Sequence, residues 1–179
     1  LTMDVDARIY SDSIKKGYAQ IMASMLNNSI TVPYYNIKLI DINAYDYVCV
    51  DIETRNADVQ KSIDRFKMVL KFYCNETILL RIDSALRGNI KAYLMEFSKM
   101  GKIIITDTIP EYGRYTEDKK TFYRGDFKNL MDFIPENRNI TIMDSRNYND
   151  IKMIAYECVK TGSLPVDPGI LIKTYLTII

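Results

Sequence analysis

Residues 77–90, with the sequence TILLRIDSALRGNI, connect an apolar run to a helical pattern through a turn. The apolar run is typical of a buried strand, and the spacing of Ile90, Leu94 and Phe97 is typical of one face of a helix. Gly88 allows the backbone to turn tightly or to approach a ligand closely. This strand–turn–helix unit is the building block of α/β domains with a parallel sheet.

The same alternation extends over most of the chain. The predicted strands are Tyr47–Ile52, Thr77–Ile82, Ile103–Thr106, Ile140–Met143 and, more weakly, Ile37–Ile40. The predicted helices span residues 14–25, 59–70, 90–97 and 151–158, and a short last helix starts at Asp167-Pro168. Asn56 or Asp58 is expected to cap the second helix, and Asn149 or Asp150 is expected to start the fourth. Gly101 is expected to end the third. Residues 111–126 lack helical periodicity, which predicts a long loop or a hairpin. We therefore predict an α/β protein with three α/β/α layers and a mainly parallel sheet, forming one domain over residues 1–179.

Composition excludes several classes of protein. The 179 residues are 47% hydrophobic and 26% charged, which is typical of a globular domain rather than a disordered chain. His is absent, so Ser-His-Asp catalysis and His-ligated metals are excluded. A net charge of +1 argues against nucleic acid or a membrane surface as partner. The three cysteines, Cys49, Cys74 and Cys158, form no CxxC pair, and residues 1–6 resemble no signal peptide, so we expect a cytoplasmic location.

Acidic residues follow four of the predicted strands: Asp51 with Glu53, Asp83, Asp107 and Asp144. Parallel strands point their carboxyl ends toward one edge of the sheet, which is where open α/β sheets bind ligands. We therefore expect the ligand site at that edge. The alternative for each single residue is a turn or a helix cap after the strand.

Arg55, Arg87 and Arg114 lie just beyond three of these strand ends. Arginine binds carboxylate or phosphate with two parallel hydrogen bonds, and aspartate accepts hydrogen bonds from hydroxyls. The pattern fits a small hydroxylated anion, and it fits equally well a salt-bridge network that holds the loops. Neither a Walker A sequence nor a GxGxxG sequence is present, so no nucleotide-phosphate loop is predicted.

Residues 81–89, RIDSALRGN, resemble the K-I-D-S-T-L-R-G-N motif of the four-carbon acid sugar kinase family, in its N-terminal sugar-binding domain. Residues 51–55 (DIETR) resemble the D-T-D-S-R segment of that family, and residues 110–116 (PEYGRYT) resemble its P-x-x-G-R-T-T segment. Residues 164–171 (LPVDPGIL) resemble its L-P-V-G-S-A-G-L-A stretch. Ala85 stands where the family has Thr, and Arg81 where it has Lys.

The resemblance implies an α/β domain that binds a four-carbon sugar acid and works with an ATP-binding domain. The sequence stops at Ile179, where that second domain would begin, so the expectation is a stand-alone substrate half that is inactive by itself. ATP and Mg²⁺ would come with a separate nucleotide-binding partner chain, and no cofactor or metal is expected in this chain. No catalytic base is assigned. The residues implied to bind substrate are Asp51, Arg55, Asp83, Ser84, Arg87, Gly88, Asn89 and Arg114.

Two other functions fit the same residues. One is a catalytically inactive binding or regulatory module on the same fold. The other is a stand-alone enzyme that uses the strand-end carboxylates to hold a metal such as Mg²⁺. A homodimer is compatible with the 14 tyrosines, several of which could anchor an interface.

Overall fold

The computed structural model describes residues 2–4, 28–41, 44–73 and 76–179, with the backbone alone for residues 2–4. The chain divides into two compact units. Unit 1 contains Leu1–Asp83 and Arg87–Tyr93, and unit 2 contains Ser84–Leu86 and Leu94–Ile179. The helix predicted for residues 14–25 and Cys74 lie outside the described residues. The single domain over residues 1–179 stays a prediction.

Unit 1 contains a parallel sheet. Its strands are β1 (Thr2–Asp4), β2 (Ser29–Pro33), β3 (Tyr47–Asp51) and β4 (Leu79–Arg81), in the spatial order β2-β3-β1-β4. All neighbouring strands in this order are parallel. The carboxyl ends of β3 and β4 therefore lie at the same edge of the sheet, so Asp51 and Asp83 lie at that edge as predicted.

Helix α1 (Val59–Phe72) is capped at its N-terminus by Asp58, one of the two predicted caps. The Asp58 side chain accepts a hydrogen bond from the Lys61 N–H at 2.8 Å, which satisfies a donor that the first helical turn leaves unpaired. The helix buries Phe66 and Val69 in the core of the unit. Helix α2 (Ile90–Phe97) begins in unit 1 and ends in unit 2.

The strand predicted for Ile37–Ile40 is wrong. Residues Tyr34–Leu39 form a 3₁₀ helix that follows Pro33 at the end of β2. Ile37 is buried, and its carbonyl oxygen accepts a hydrogen bond from the Tyr73 hydroxyl at 3.3 Å. Tertiary packing of one buried side chain outweighs the strand preference of the segment.

Unit 2 contains a parallel and an antiparallel sheet. The parallel strands are β5 (Ile103–Ile105), β9 (Ile140–Ile142) and β10 (Leu164–Asp167), in the order β10-β5-β9. The antiparallel strands are β6 (Tyr115–Glu117), β7 (Lys120–Tyr123) and β8 (Asp126–Asn129), in that order. Helices α3 (Tyr148–Thr161) and α4 (Ile170–Leu176) complete the unit. Its core includes Ile104, Ile151, Ile154, Ala155, Cys158 and Leu171.

The hairpin predicted within residues 111–126 is present. The β6–β7 turn has positive φ at Asp118 (48°) and Lys119 (57°), and the β7–β8 turn has positive φ at Arg124 (53°) and Gly125 (85°). Two residues with positive φ are the signature of the type I′ turn, whose twist matches that of the two strands it joins. A 3₁₀ turn at Pro110–Tyr112 precedes the hairpin.

Two predicted helix starts are wrong. Helix α3 is capped by Asn147, whose side-chain oxygen accepts the N–H groups of Asn149 and Asp150, the two residues predicted as caps. Helix α4 starts at Ile170 after Gly169 rather than at Pro168. The buried Asp167 carboxylate accepts hydrogen bonds from the N–H groups of Leu171 and Ile172. Asp167 therefore pairs two donors of the first helical turn, although it lies three residues before the helix begins at Ile170.

The α/β class with mainly parallel strands is confirmed, but sequence analysis missed three of the parallel strands, β1, β2 and β10. Strand β10 contains Pro165, which cannot donate to a ladder and so weakens the strand signal. Strand β2 was not predicted at all. Cys49 and Cys158 are buried in the core. None of the helices in the described ranges has the length and apolar character needed to cross a membrane.

Candidate functional site

Three side chains at the carboxyl end of β4 form what we term the Asp83 cluster: Asp83, Arg55 and Arg87. Arg87 donates from Nε to Asp83 Oδ2 at 2.8 Å and from Nη2 to Oδ1 at 2.9 Å. The Arg87 backbone N–H also donates to Oδ2, at 3.1 Å. Arg55 Nη2 donates to Oδ1 at 3.0 Å. The Asp83 carboxylate therefore holds two guanidinium groups and closes the turn between β4 and α2.

The three side chains in this cluster differ in their exposure to solvent. Asp83 is fully buried, Arg55 is 11% exposed and Arg87 is 51% exposed. Burial opposes ionisation of Asp83, but the hydrogen bonds and positive charge of Arg87, together with the charge of Arg55, outweigh it and hold the pKa of this carboxyl below its usual range. The carboxylate is thus a fixed internal anchor, and Arg87 presents its charge to solvent.

Gly88 lies in the turn at φ +85°. A Cβ atom added there would lie 3.3 Å from the Arg55 Cα, so the turn packs directly against the backbone that carries Arg55. Asn89 donates from Nδ2 to the Ala57 carbonyl oxygen and to Ser62 Oγ, both at 2.8 Å. Gly88 and Asn89 therefore fix the β4–α2 turn to the segment that follows β3.

The segment after β3 is also held by side chains. Asp51 Oδ1 accepts the Glu53 N–H at 2.9 Å, and Glu53 has a positive φ of 48°. Arg65 Nη1 donates to the carbonyl oxygens of Ile52 and Glu53 at 3.2 and 2.6 Å. A non-glycine residue at positive φ costs roughly 1 kcal/mol or more, and such strain concentrates at functional sites.

In unit 2, Asp107 follows β5 and pairs with Arg114, which lies just before β6. We term these two residues the Asp107 pair. Arg114 Nη1 lies 3.4 Å from Asp107 Oδ2, and the guanidinium lies over the Tyr123 ring with its Cζ 4.8 Å from the centroid. Asp107 is fully buried and Arg114 is 13% exposed. Within the described ranges, Asp107 Oδ1 and Arg114 Nε are buried atoms that have no hydrogen-bond partner.

Buried hydroxyl groups hold the backbone around Asp107. Thr116 Oγ1 accepts the Asp107 N–H at 2.9 Å, and Thr108 Oγ1 accepts the Thr116 N–H at 3.0 Å. Ser145 Oγ donates to Thr108 Oγ1 at 2.6 Å. Burial raises the pKa of Asp107 to about 7, although the nearby Arg114 charge opposes this. The backbone at Asp107 is therefore fixed, and the carboxyl has a pKa of about 7.

The eight residues predicted to bind substrate fall in both units. Ser84 and Arg114 belong to unit 2, and the other six belong to unit 1. Within unit 1 the structure brings Arg55, Asp83 and Arg87 together, so the ion-pair network offered as an alternative is present. Sequence analysis named Asp107 as a strand-end carboxylate but did not predict its pairing with Arg114. The available signal was the separation of only seven residues between this carboxylate and the arginine.

A cavity of about 690 Å³ lies in unit 2 between β5, β9 and α3. Its lining includes Asp144, which follows β9, and none of the eight predicted residues. The charged side chains Lys102, Arg138 and Asp144 in its lining are exposed. Water and salt screen these exposed charges. Across residues 28–41, 44–73 and 76–179, no group of three or more Cys, Asp or Glu side chains is arranged to hold a metal ion.

Asp83 and Asp107 are buried, follow parallel strands and hold arginines. Open α/β domains as a class bind their ligands at the carboxyl ends of such strands. The family model for the "Sugar-binding N-terminal domain" matches residues 17–135. The chain belongs to this family, which confirms the resemblance to the N-terminal domain of the four-carbon acid sugar kinases.

Solved structures share the fold. A DUF1537 domain of unknown function from Bordetella bronchiseptica, crystallised as a domain-swapped dimer with bound citrate, has a TM-score of 0.73 and 12% identity, covering 97% of this chain and 54% of its own. A DUF1537 protein from Haemophilus influenzae has a TM-score of 0.72 and 14% identity, covering 98% and 55%. This chain thus spans about half the length of these solved chains. No curated protein sequence matches it.

Proposed function

We propose that this chain binds a four-carbon sugar acid, as the substrate-binding part of an ATP-dependent sugar-acid kinase. The observation that carries the proposal is Arg87, a half-exposed guanidinium held by a two-point ion pair to the buried Asp83 carboxylate at the carboxyl end of β4. A guanidinium held in this way is already ordered before the ligand arrives, so less side-chain entropy is lost on binding.

The position of Arg87 favours an anion. Arg87 lies three residues before helix α2, whose first N–H groups carry partial positive charge. A sugar-acid carboxylate at this position would meet both the guanidinium and the helix start. The four hydrogen bonds that Asp83 accepts, three from side-chain nitrogens and one from the Arg87 backbone, give it the role of holding the two arginines.

Backbone strain beside Arg87 supports a ligand. Leu86 has a positive φ of 59°, and Glu53, in the segment after β3, has a positive φ of 48°. Leucine rarely adopts this conformation, and such strain is retained where the surrounding structure fixes a loop for function.

The comparisons support the sugar-acid class. The family is one of sugar-binding domains, and citrate, a small carboxylic acid, is bound in the Bordetella bronchiseptica structure. In this proposal ATP and Mg²⁺ come from a nucleotide-binding domain outside these 179 residues, because phosphoryl transfer requires groups that neutralise the phosphates. The domain-swapped dimer of the same structure supports a homodimer for this chain.

A thermal-shift assay tests the proposal with sodium erythronate, sodium threonate and ATP–Mg²⁺ at pH 6.5. A ligand at 100 times its Kd stabilises the folded state by about 2.7 kcal/mol, which is a shift of roughly 5–10 °C for a chain of this size. We expect a shift with a sugar acid and none with ATP–Mg²⁺.

Arg87→Lys should reduce the shift, because lysine keeps the charge but loses the two-point geometry. The matched control is Arg124→Lys, in the exposed β7–β8 turn, which should bind as the wild type does. A shift with ATP–Mg²⁺ alone would contradict the assignment to substrate. The absence of a shift with any sugar acid at millimolar concentration would favour the regulatory module instead.

A further inference from the structure

We propose that Asp107 competes with the ligand anion for Arg114, so that an anion binds Arg114 only when Asp107 takes up a proton. The inference rests on the proposed function for the class of ligand, because the anion is a sugar-acid carboxylate. It concerns Arg114 in unit 2 alone, where Asp107 would set the pH range in which such an anion binds.

The first argument is that the Asp107 pair is incompletely bonded. Arg87 uses Nε and Nη2 on one carboxylate at 2.8 and 2.9 Å, which is the usual two-point geometry. Arg114 makes one long contact with Asp107 at 3.4 Å, and its buried Nε has no partner in the described part of the chain. The capacity of Arg114 for a second hydrogen bond to an anion is thus unused.

The second argument concerns the carboxylate. Asp107 Oδ1 is buried and likewise lacks a hydrogen-bond partner among the described residues. An ionised carboxylate with an unsatisfied oxygen is costly to bury, whereas the protonated form carries no charge. The site is therefore occupied by a carboxylate that is poorly satisfied in its ionised form.

The third argument concerns the charged groups that face Asp107. Burial raises the pKa of this carboxyl to about 7, and the Asp167 carboxylate at the end of β10 adds to the increase. Arg114, the Thr121 hydroxyl on β7 and Lys128 on β8 act in the opposite direction. Arg114 lowers the pKa of Asp107 more than the other two groups do, so an external anion that engages Arg114 removes support for the Asp107 charge.

The consequence is a linkage between anion and proton. An anion bound to Arg114 raises the pKa of Asp107 above its value in the free protein, so binding takes up a proton. Below pH 7 Asp107 is already protonated and affinity changes little with pH. Above pH 7 each unit of pH should weaken binding by up to about tenfold, until the pKa of the bound form is reached.

Isothermal titration calorimetry with sodium erythronate between pH 5.5 and 8.5 tests the inference. An ordinary carboxyl group titrates near pH 4, so the ligand stays ionised over this range. For the wild type we expect a Kd that is flat below pH 6.5 and rises above pH 7. Titrations at pH 8 in two buffers of different ionisation enthalpy should show uptake of about one proton.

Asp107→Asn is the decisive variant, because asparagine keeps the shape of the side chain and cannot ionise. It should bind erythronate with a Kd independent of pH, and more tightly than the wild type at pH 8. The matched control is Asp118→Asn, which removes a carboxylate that is 88% exposed in the β6–β7 turn and should keep the wild-type profile.

The outcomes separate the two proposals. Erythronate binding with a pH-independent Kd in the wild type would overturn the inference and leave the proposed function standing. A wild-type pH profile in Asp107→Asn would overturn it as well. The absence of binding at every pH in both proteins would overturn the proposed function, and the inference with it. If circular dichroism shows that Asp107→Asn does not fold, the proton count of the wild type decides.

Discussion

The Asp107→Asn substitution should change how the free energy of unfolding depends on pH. Burial raises the pKa of Asp107 from 3.8 in the unfolded chain to about 7 in the folded protein. Because the folded pKa is the higher one, the stability that this group contributes is fully present below pH 3.8 and is lost as the pH rises to 7. Ionisation of Asp107 therefore destabilises the folded wild type at alkaline pH.

The magnitude follows from the two pKa values. Each unit of pKa difference corresponds to about 1.4 kcal/mol, so the full loss above pH 7 is about 4 kcal/mol. Part of this loss has occurred by pH 5, which leaves about 2.5 kcal/mol between pH 5 and pH 8. Asp107→Asn cannot ionise, so its advantage over the wild type should grow by that amount across the same interval.

Urea unfolding at pH 5, 6, 7 and 8, followed by circular dichroism, measures the effect. With a typical slope of about 2 kcal/mol per molar urea, the expected change in the difference between midpoints is roughly 1 M. Asp83 does not interfere, because its pKa lies below 3.8 and it stays ionised over this range. Asp118→Asn serves as the control for a lost carboxylate. Parallel pH profiles for Asp107→Asn and the wild type would refute the reasoning.

Three further substitutions test other parts of the site. Gly88→Ala and Gly125→Ala both place alanine at φ +85°, which should cost about 1–2 kcal/mol of stability in each variant. Only the Gly88→Ala substitution also puts a Cβ 3.3 Å from a backbone atom, the Arg55 Cα. Urea unfolding should therefore show the larger loss of stability for Gly88→Ala. Asp83→Asn leaves two guanidinium groups without their carboxylate and should lower the free energy of unfolding by about 3–5 kcal/mol at pH 7. The difference from the wild type should be smaller below pH 3, because the wild-type carboxylate then begins to take up a proton. Asn89→Ala removes two hydrogen bonds at 2.8 Å and should lower the free energy of unfolding by about 1–3 kcal/mol in the same assay.

Much of the fold follows from local pattern. Val48, Cys49 and Val50 form a continuous apolar run that is buried on both sides, so β3 could be located within one residue. The segment around Ile37 carries a similar apolar signal, yet it forms a 3₁₀ helix because Ile37 is held by a distant tyrosine. No local pattern contains that information.

The candidate site shows the same limit. Strand-end position predicted Asp83 and the neighbouring arginines, because parallel strands bring their carboxyl ends to one edge. The state of Asp107 could not be predicted, because its pKa depends on how deeply the carboxyl is buried and on Asp167, which lies sixty residues further along the chain. Burial and long-range charge are properties of the folded protein.

The place of β1 in its sheet has a consequence for how the chain folds. This strand comes first in the sequence but lies between β3 and β4, so residues 2–4 pair with residues 49–51 and 79–81. During synthesis, β1 therefore cannot pair along both of its edges until β4 has left the ribosome. The strands β6, β7 and β8 are joined by two-residue turns, so each of them pairs with a neighbour in sequence that is made directly before or after it. Pairing between distant segments is slow to form, so completion of the unit 1 sheet should limit the folding rate, and an exposed β1 should be the point at which newly made chains aggregate.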